Sequence, residues 1–177
     1  MGVPRKALKE LKQRIGRDFQ VSENGRERLK TLALSFVQQI AADAVEIAKK
    51  HSRKTVALQD VFEACATLMR AYWWIDRGEY LSRVLGVTKY TAATAIDTSL
   101  FYETHPSGKR KVKTFGTLMI KEVESLLKTS RKAPRDVNAF ACRAADVFVY
   151  YVLESATQNG SVIDTADIDS ALSRPAY

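Results

Sequence analysis

Apolar residues along the chain fall into two sets of three amphipathic stretches, each set ordered short, long, short. Leu29, Leu32, Ala33, Phe36, Val37, Ile40, Ala41, Ala44, Val45 and Ala48 recur at three- and four-residue steps. No proline or glycine interrupts the run from Arg26 to His51, so the spacing predicts one continuous helix with a single apolar stripe. Ser22 is a suitable N-cap. From there to His51 such a helix would run roughly 44 Å at 1.5 Å per residue. A shorter stretch precedes it, with Pro4 near its first turn and Leu8, Leu11 and Ile15 on one face. Another follows, with Leu58, Val61, Phe62, Cys65 and Leu68 facing inward.

The plan then repeats. Phe115, Leu118, Met119, Val123, Leu126 and Leu127 form a first stripe. Val137, Phe140, Ala141, Ala144, Val147, Phe148, Tyr151 and Val152 form a longer one, entered through Pro134 and closed by Gly160 as a C-terminal cap. Ile168, Ala171 and Leu172 make a short third. A shift of 107 residues superimposes Ala33 on Phe140, Ile40 on Val147, Val45 on Val152, Val56 on Ile163, Asp60 on Asp167 and Ala64 on Ala171. This is the pattern of a diverged internal duplication. A three-helix unit with one long exposed stripe cannot cover its own apolar face, and two such units in one chain can cover each other.

Three segments follow from this: a first unit at 1–70, a connector at 71–112 and a second unit at 113–177. A structureless connector of that length would be unusual in a compact protein. Ala92, Ala93, Ile96, Leu100 and Phe101 predict an extra amphipathic helix within it, stopped by His105-Pro106-Ser107-Gly108. Tyr72-Trp73-Trp74 is read as an anchor of the connector on the core, with a protein-binding patch as the alternative.

The segment with most chemical content is Ser52-Arg53-Lys54-Thr55-Val56-Ala57-Leu58-Gln59-Asp60-Val61. It joins a cationic loop to an apolar anchor, Val56, and to a helix whose first turn carries an acid. Arg53 and Asp60 form a candidate structural pair across the loop, holding Lys54 and Thr55 outward towards a phosphate.

Charge strengthens that reading. Lysine and arginine number 28 against 20 acids, a net +8 with pI near 9.5, which favours a polyanionic partner. Residues 1–70 carry 14 basic against 8 acidic side chains, 71–112 carry 6 against 4, and 113–177 carry 8 of each. The first half is therefore the stronger electrostatic partner. Cys65 and Cys142 are spaced like neither a metal site nor a disulfide scaffold, and read as small buried hydrophobes of an intracellular, reducing compartment. No signal-peptide core or membrane-length apolar run is expected. Catalytic, cofactor and metal motifs are absent, His51 and His105 being far apart, so an enzyme is not expected.

Residues 22–68 resemble the histone fold of archaeal histones and of the most archaeal-like eukaryotic core histone. The resemblance rests on Phe36 to Ile40, Asp43-Ala44-Val45, and Arg53-Lys54-Thr55-Val56 through Asp60. Residues 109–172 resemble a second core histone less closely, through Lys109-Arg110-Lys111 leading into the Phe115 stripe and through Ile163 to Ala171. The whole is similar to a histone doublet, an arrangement found in giant viruses and some prokaryotes. The resemblance implies an all-α protein of two tandem histone folds paired in an intramolecular handshake, with an extra connector helix. At the position of Arg53 the second copy has Gly160, so Asp167 lacks that partner. The family often places a histidine three residues before the loop arginine to join dimers; here Lys50 stands there, with His51 beside it.

Antiparallel pairing of the two units would bring each first loop to the other unit's second loop. One end then joins Arg53, Lys54 and Thr55 to Arg131, Lys132 and Arg135. The other joins Arg17 and Gln20 to Asn159, Gly160 and Ser161, which bring no positive charge. Lys6, Lys9 and Lys109-Arg110-Lys111 would lie between, near the paired first helices. The resemblance implies sequence-nonspecific binding and compaction of double-stranded DNA, with loops and helix starts holding phosphates, as in the histone octamer that is the standard example of backbone binding. Further doublets would be partners too, and neither a membrane nor a small-molecule substrate would be. The location would be chromatin or nucleoid, or a virion or viral factory for a viral source. The alternative is a histone-fold scaffold binding other proteins, favoured by the neutral second half and Tyr72-Trp73-Trp74.

Overall fold

The computed structural model describes residues 2–128 and 134–173. The first set of helices is α1 (Arg5–Ile15), α2 (Glu23–Lys50) and α3 (Leu58–Leu68). The second is α5 (Ile120–Lys128), α6 (Arg135–Ala156) and α7 (Thr165–Leu172), with α4 (Arg77–Leu85) between the sets. Two-residue strands β1 (Gln20–Val21) and β4 (Val162–Ile163) pair in parallel, whereas β2 (Tyr102–Thr104) and β3 (Arg110–Val112) form an antiparallel hairpin.

The helix bounds follow local chemistry. The Ser22 hydroxyl accepts from the Gly25 amide at 3.0 Å and starts α2, and Glu23 lies in the first turn where the helix dipole favours it. Lys49 and Lys50 end the same helix beside its exposed carbonyls. Every residue predicted for the α6 stripe is buried, and most of that helix is buried all round, as a central element must be. Phe36 of α2 stacks on Phe148 of α6, ring centres 4.3 Å apart and planes 4° from parallel.

Contacts between the sets run in opposite directions along the two long helices. Arg28, near the start of α2, pairs with Asp169 of α7 at 2.7 Å. Phe62 of α3 lies 6.0 Å from Phe140, near the start of α6. Lys30 pairs with Glu122 of α5 at 2.8 Å; burial disfavours the Glu122 carboxylate, but Lys30 and the Met119 amide outweigh it and hold its pKa low. The two sets approach closely at Gly25: a Cβ there would lie 2.9 Å from the Ile163 carbonyl oxygen.

Four expectations are corrected. The connector helix is α4, not 92–101. Thr94 Oγ1 accepts from the Thr91 amide and Asp97 Oδ1 from the Ser99 amide, and these local bonds compete with a helix, leaving only a short 3₁₀ turn at Thr98–Phe101. His105-Pro106-Ser107-Gly108 is the turn of the β2–β3 hairpin rather than a helix stop. The Phe115 stripe begins outside its helix, because Asp146 of α6 captures the amides of Phe115 and Thr117 and the Thr114 hydroxyl before α5 starts. Gly160 is not the cap of α6, which ends at Ala156; its φ of 156° and ψ of −179° are not the left-handed cap conformation.

The Tyr-Trp-Trp stretch divides. Tyr72 packs on Phe148 with centres 4.9 Å apart, Trp74 is partly buried against the core, and Trp73 is 45% exposed. α4 is held to α6 by the Tyr80 hydroxyl, which donates to the Ala144 carbonyl at 2.8 Å. The Arg143 guanidinium also donates to the Val84 and Arg83 carbonyls.

Candidate nucleic-acid interface

At the end of α2 the chain turns sharply. Ser52 takes φ 56°, and the Arg53 amide donates to the Ala48 carbonyl at 2.9 Å. The structure brings Arg53 and Asp60 into an ion pair. Asp60 is fully buried, and its Oδ2 accepts from the Ala57 amide at 2.8 Å. Val56 is buried, while Lys54 and Thr55 face solvent. The loop is therefore pinned from inside, by an apolar side chain and a buried carboxylate, and presents its cations outward. The burial of Asp60 changes the energetics: an exposed pair is worth about 0–1 kcal/mol, whereas loss of the part-exposed Arg53 would leave a buried carboxylate without its cation, a cost of up to about 3–5 kcal/mol.

The corresponding turn of the second set keeps the inner half of this arrangement. Asp167 Oδ2 accepts from the Asp164 amide at 2.9 Å, at the same 107-residue shift as Asp60 and Ala57. Gly160 supplies no guanidinium. This turn instead joins the first loop: the Gln20 amide donates to the Ser161 carbonyl at 2.8 Å, and the Ser22 amide to the Ile163 carbonyl at 2.9 Å. Arg17 donates to the Thr157 hydroxyl at 3.1 Å, so its guanidinium is turned onto the neighbouring loop. The Ser22 hydroxyl donates to Asp164 Oδ1 at 2.6 Å; this bond and the Thr165 amide hold the Asp164 carboxyl below its usual range.

Arg135 opens α6. It donates to the Arg110 carbonyl at 3.0 Å and lies 5.0 Å from the centre of the Tyr102 ring, with Arg110 4.2 Å from the same ring. The hairpin thus carries Lys109, Arg110 and Lys111, all exposed, to the Arg135 end of the molecule rather than to a place midway between the ends. Arg131 and Lys132 lie outside the described residues. Lys6 and Lys9 are exposed on α1. Lys9 lines a groove of about 580 Å³ together with Arg5, Lys12, Arg26, Phe19 and Glu23. No sequence motif distinguishes Arg5, Lys12 and Arg26. Their only signal is the surplus of positive charge in residues 1–70, which gives no positions. Within the groove Arg26 is bound to Glu23 and to the Val3 carbonyl, and Lys12 to Asp18 at 2.9 Å.

The family model described as histone-like transcription factor (CBF/NF-Y) and archaeal histone matches residues 2–65. That match gives the first set of helices a histone fold. It spans α1, α2 and α3 as far as Cys65, including the Arg53–Asp60 turn. No curated protein matches the chain. Among the described residues there is no group of side chains suited to a metal ion, and no helix long and apolar enough to cross a membrane. Burial pushes the thiols of Cys65 and Cys142 up to about 12, which leaves both as neutral core groups.

Proposed function

We propose that the chain is a histone doublet, with a first histone fold at 1–70, a connector at 71–112 and a second fold at 113–177. The two folds pair in an intramolecular handshake and together bind and compact double-stranded DNA without sequence preference. The observation that carries this reading is the parallel pairing of β1 with β4. It joins the first loop of one unit to the second loop of the other, the juxtaposition that antiparallel pairing requires. The shared carboxylate–amide bonds at Asp60 and Asp167 support the duplication. Lys54, Thr55, Arg135 and the Lys109–Lys111 hairpin give one end an exposed cationic surface, and Lys6 and Lys9 add to it from α1. Phosphate contacts of this kind position DNA without reading bases. The role is binding rather than catalysis. The family match supports a chromatin or nucleoid-type location; for a viral source the location would be a virion or viral factory.

Titration of the protein onto random-sequence duplexes at several salt concentrations tests the proposal. Affinity should be independent of sequence and should fall linearly in log–log form with salt, and nuclease digestion of the complex should leave protected fragments of defined length. A protein that fails to bind duplex at low salt would instead be a histone-fold scaffold. The 45% exposure of Trp73 and the charge balance of the second half favour that second reading.

A further inference from the structure

Residues 103–111, the outer part of the β2–β3 hairpin, are exposed without exception. The root is the opposite. Phe101, Tyr102 and Val112 are buried, and the Lys113 amide donates to the Phe101 carbonyl at 2.8 Å. Arg110 and Arg135 both approach the Tyr102 ring, and the Tyr102 hydroxyl donates to Asp136 of α6. At the tip the Gly108 amide closes the turn on the His105 carbonyl at 2.8 Å, with Gly108 at φ 85°. The hairpin is thus fastened at its base, closed at its tip and exposed between. Strand alternation sorts its side chains. Tyr102, Arg110 and Val112 share the face laid on the start of α6, whereas Glu103 and Lys111, paired in register, take the other. Lys109 has the parity of Lys111, and its carbonyl extends the ladder by accepting from the His105 amide. Among the described residues neither lysine forms an ion pair. Phe101 at the root and Phe62 of α3 both lie on Phe140, at 6.1 and 6.0 Å. The hairpin therefore springs from the end of α6 that also holds the helix after the Arg53–Asp60 turn.

We propose, on the basis of the DNA-binding reading above, that this hairpin enters the major groove of the duplex as a two-stranded ribbon. Dimensions select the groove. Paired strands lie about 4.8 Å apart. With side chains on both faces, such a ribbon fits a groove about 12 Å wide but not one of about 6 Å. From Tyr102 to Pro106 the hairpin reaches about 13 Å at roughly 3.3 Å per residue, beyond the groove depth of about 8.5 Å. Lys109 and Lys111 then meet purine N7 atoms, acceptors that every base pair offers there. Contact of this kind needs no particular base order. Glu103, opposite Lys111, would be repelled by phosphates but can accept from a cytosine amino group. A carboxylate on the lysine face is thus a reason to set that face against base edges rather than along the backbone.

The test measures the affinity of the full chain for two duplexes of one sequence. One is ordinary DNA; in the other every cytosine is glucosylated hydroxymethylcytosine, whose sugars fill the major groove. The protein should bind the second at least fivefold more weakly. A variant in which Asn-Gly, a preferred two-residue hairpin turn, replaces residues 104–110 should bind both alike. K109Q/K111Q keeps the whole hairpin and its root, so its melting temperature should be unchanged. It should lose affinity for the ordinary duplex and little for the glucosylated one. Equal affinity of the unaltered protein for the two duplexes, or discrimination that survives in the shortened variant, would overturn the ribbon alone. So would weakening by distamycin, which fills the minor groove, if shortening the hairpin abolished that weakening. Failure to bind either duplex at low salt would remove the DNA-binding reading and the ribbon together.

Discussion

The turns before α3 and α7 are built alike on the inside and differently on the outside. In both, a carboxylate in the first helical turn accepts the backbone amide three residues earlier, from Ala57 to Asp60 and from Asp164 to Asp167. Before α3 an arginine completes the pair and a lysine faces solvent. Before α7 the matching positions are Gly160 and Ser161, and the turn is occupied by a strand partner. The backbone bond that sets the helix entry is the common requirement. The charge outside it is free to change, because exposed cations contribute little to stability.

The largest expected effect breaks the inner half of the comparison. Asp60→Ala should cost about 2 kcal/mol of unfolding free energy, since it strips the buried acceptor of the Ala57 amide, while the Arg53 guanidinium, 37% exposed, is left to water. Asp167→Ala, which loses a cap-type bond at a partly exposed site, should cost about 1 kcal/mol. Urea unfolding of both variants checks this, and equal losses would mean that Arg53 contributes nothing beyond the amide bond. The outer half is next. Neutralising Lys54 and Lys132 together should flatten the slope of log affinity against log salt by roughly two. Arg17→Gln should change it less, because that guanidinium is turned onto Thr157.

Ser161→Lys places a lysine at the position matching Lys54. If the two turns differ only in their exterior, it should steepen the salt slope by about 0.9 with little change in melting temperature. An unchanged slope would mean the β4 end does not face DNA. The smallest effect is one of pH. The Asp164 carboxyl is held low by Ser22, so its contribution is present above the ordinary aspartate range and is lost as pH falls through the folded value. Ser22→Ala should weaken that dependence, measured as the acid limb of thermal stability from about pH 5 downward, while leaving Asp60 untouched.

Much of this comparison is legible in the amino-acid sequence alone. α2 is readable because stripe, cap and absence of breakers after Gly25 agree, and the α6 stripe because burial on every side leaves mostly apolar residues. The connector is misleading: Ala92, Ala93, Ile96, Leu100 and Phe101 have helical spacing, whereas Thr91, Thr94, Asp97 and Ser99 bond locally instead. The true helix is signalled by Asp76 and Glu79 at its start and by Gly86, left-handed at φ 76°, at its end, cues weaker than the apolar spacing they compete with. The approach of Arg110 and Arg135 to the Tyr102 ring has no sequence signal, since it joins residues that meet only once the hairpin lies on α6. Asp60 is legible as a partner of Arg53 but not as a fully buried one, because burial depends on what packs from outside the loop.

The order of the helices along the chain also has a consequence in time. α2 ends at Lys50, and α6, which completes the cover that α3 begins, starts only at Arg135. At the usual pace of 5–20 residues per second, about 4 to 17 seconds of translation separate them. For that interval Phe36, Val37 and Ile40 have no Phe148 to rest on, and the nascent chain is open to chaperones or to unwanted association. Once α6 emerges, however, its partner is tethered nearby at an effective concentration on the order of millimolar. Pairing is then a first-order event, indifferent to how much of the protein a cell holds, which separately made subunits cannot match.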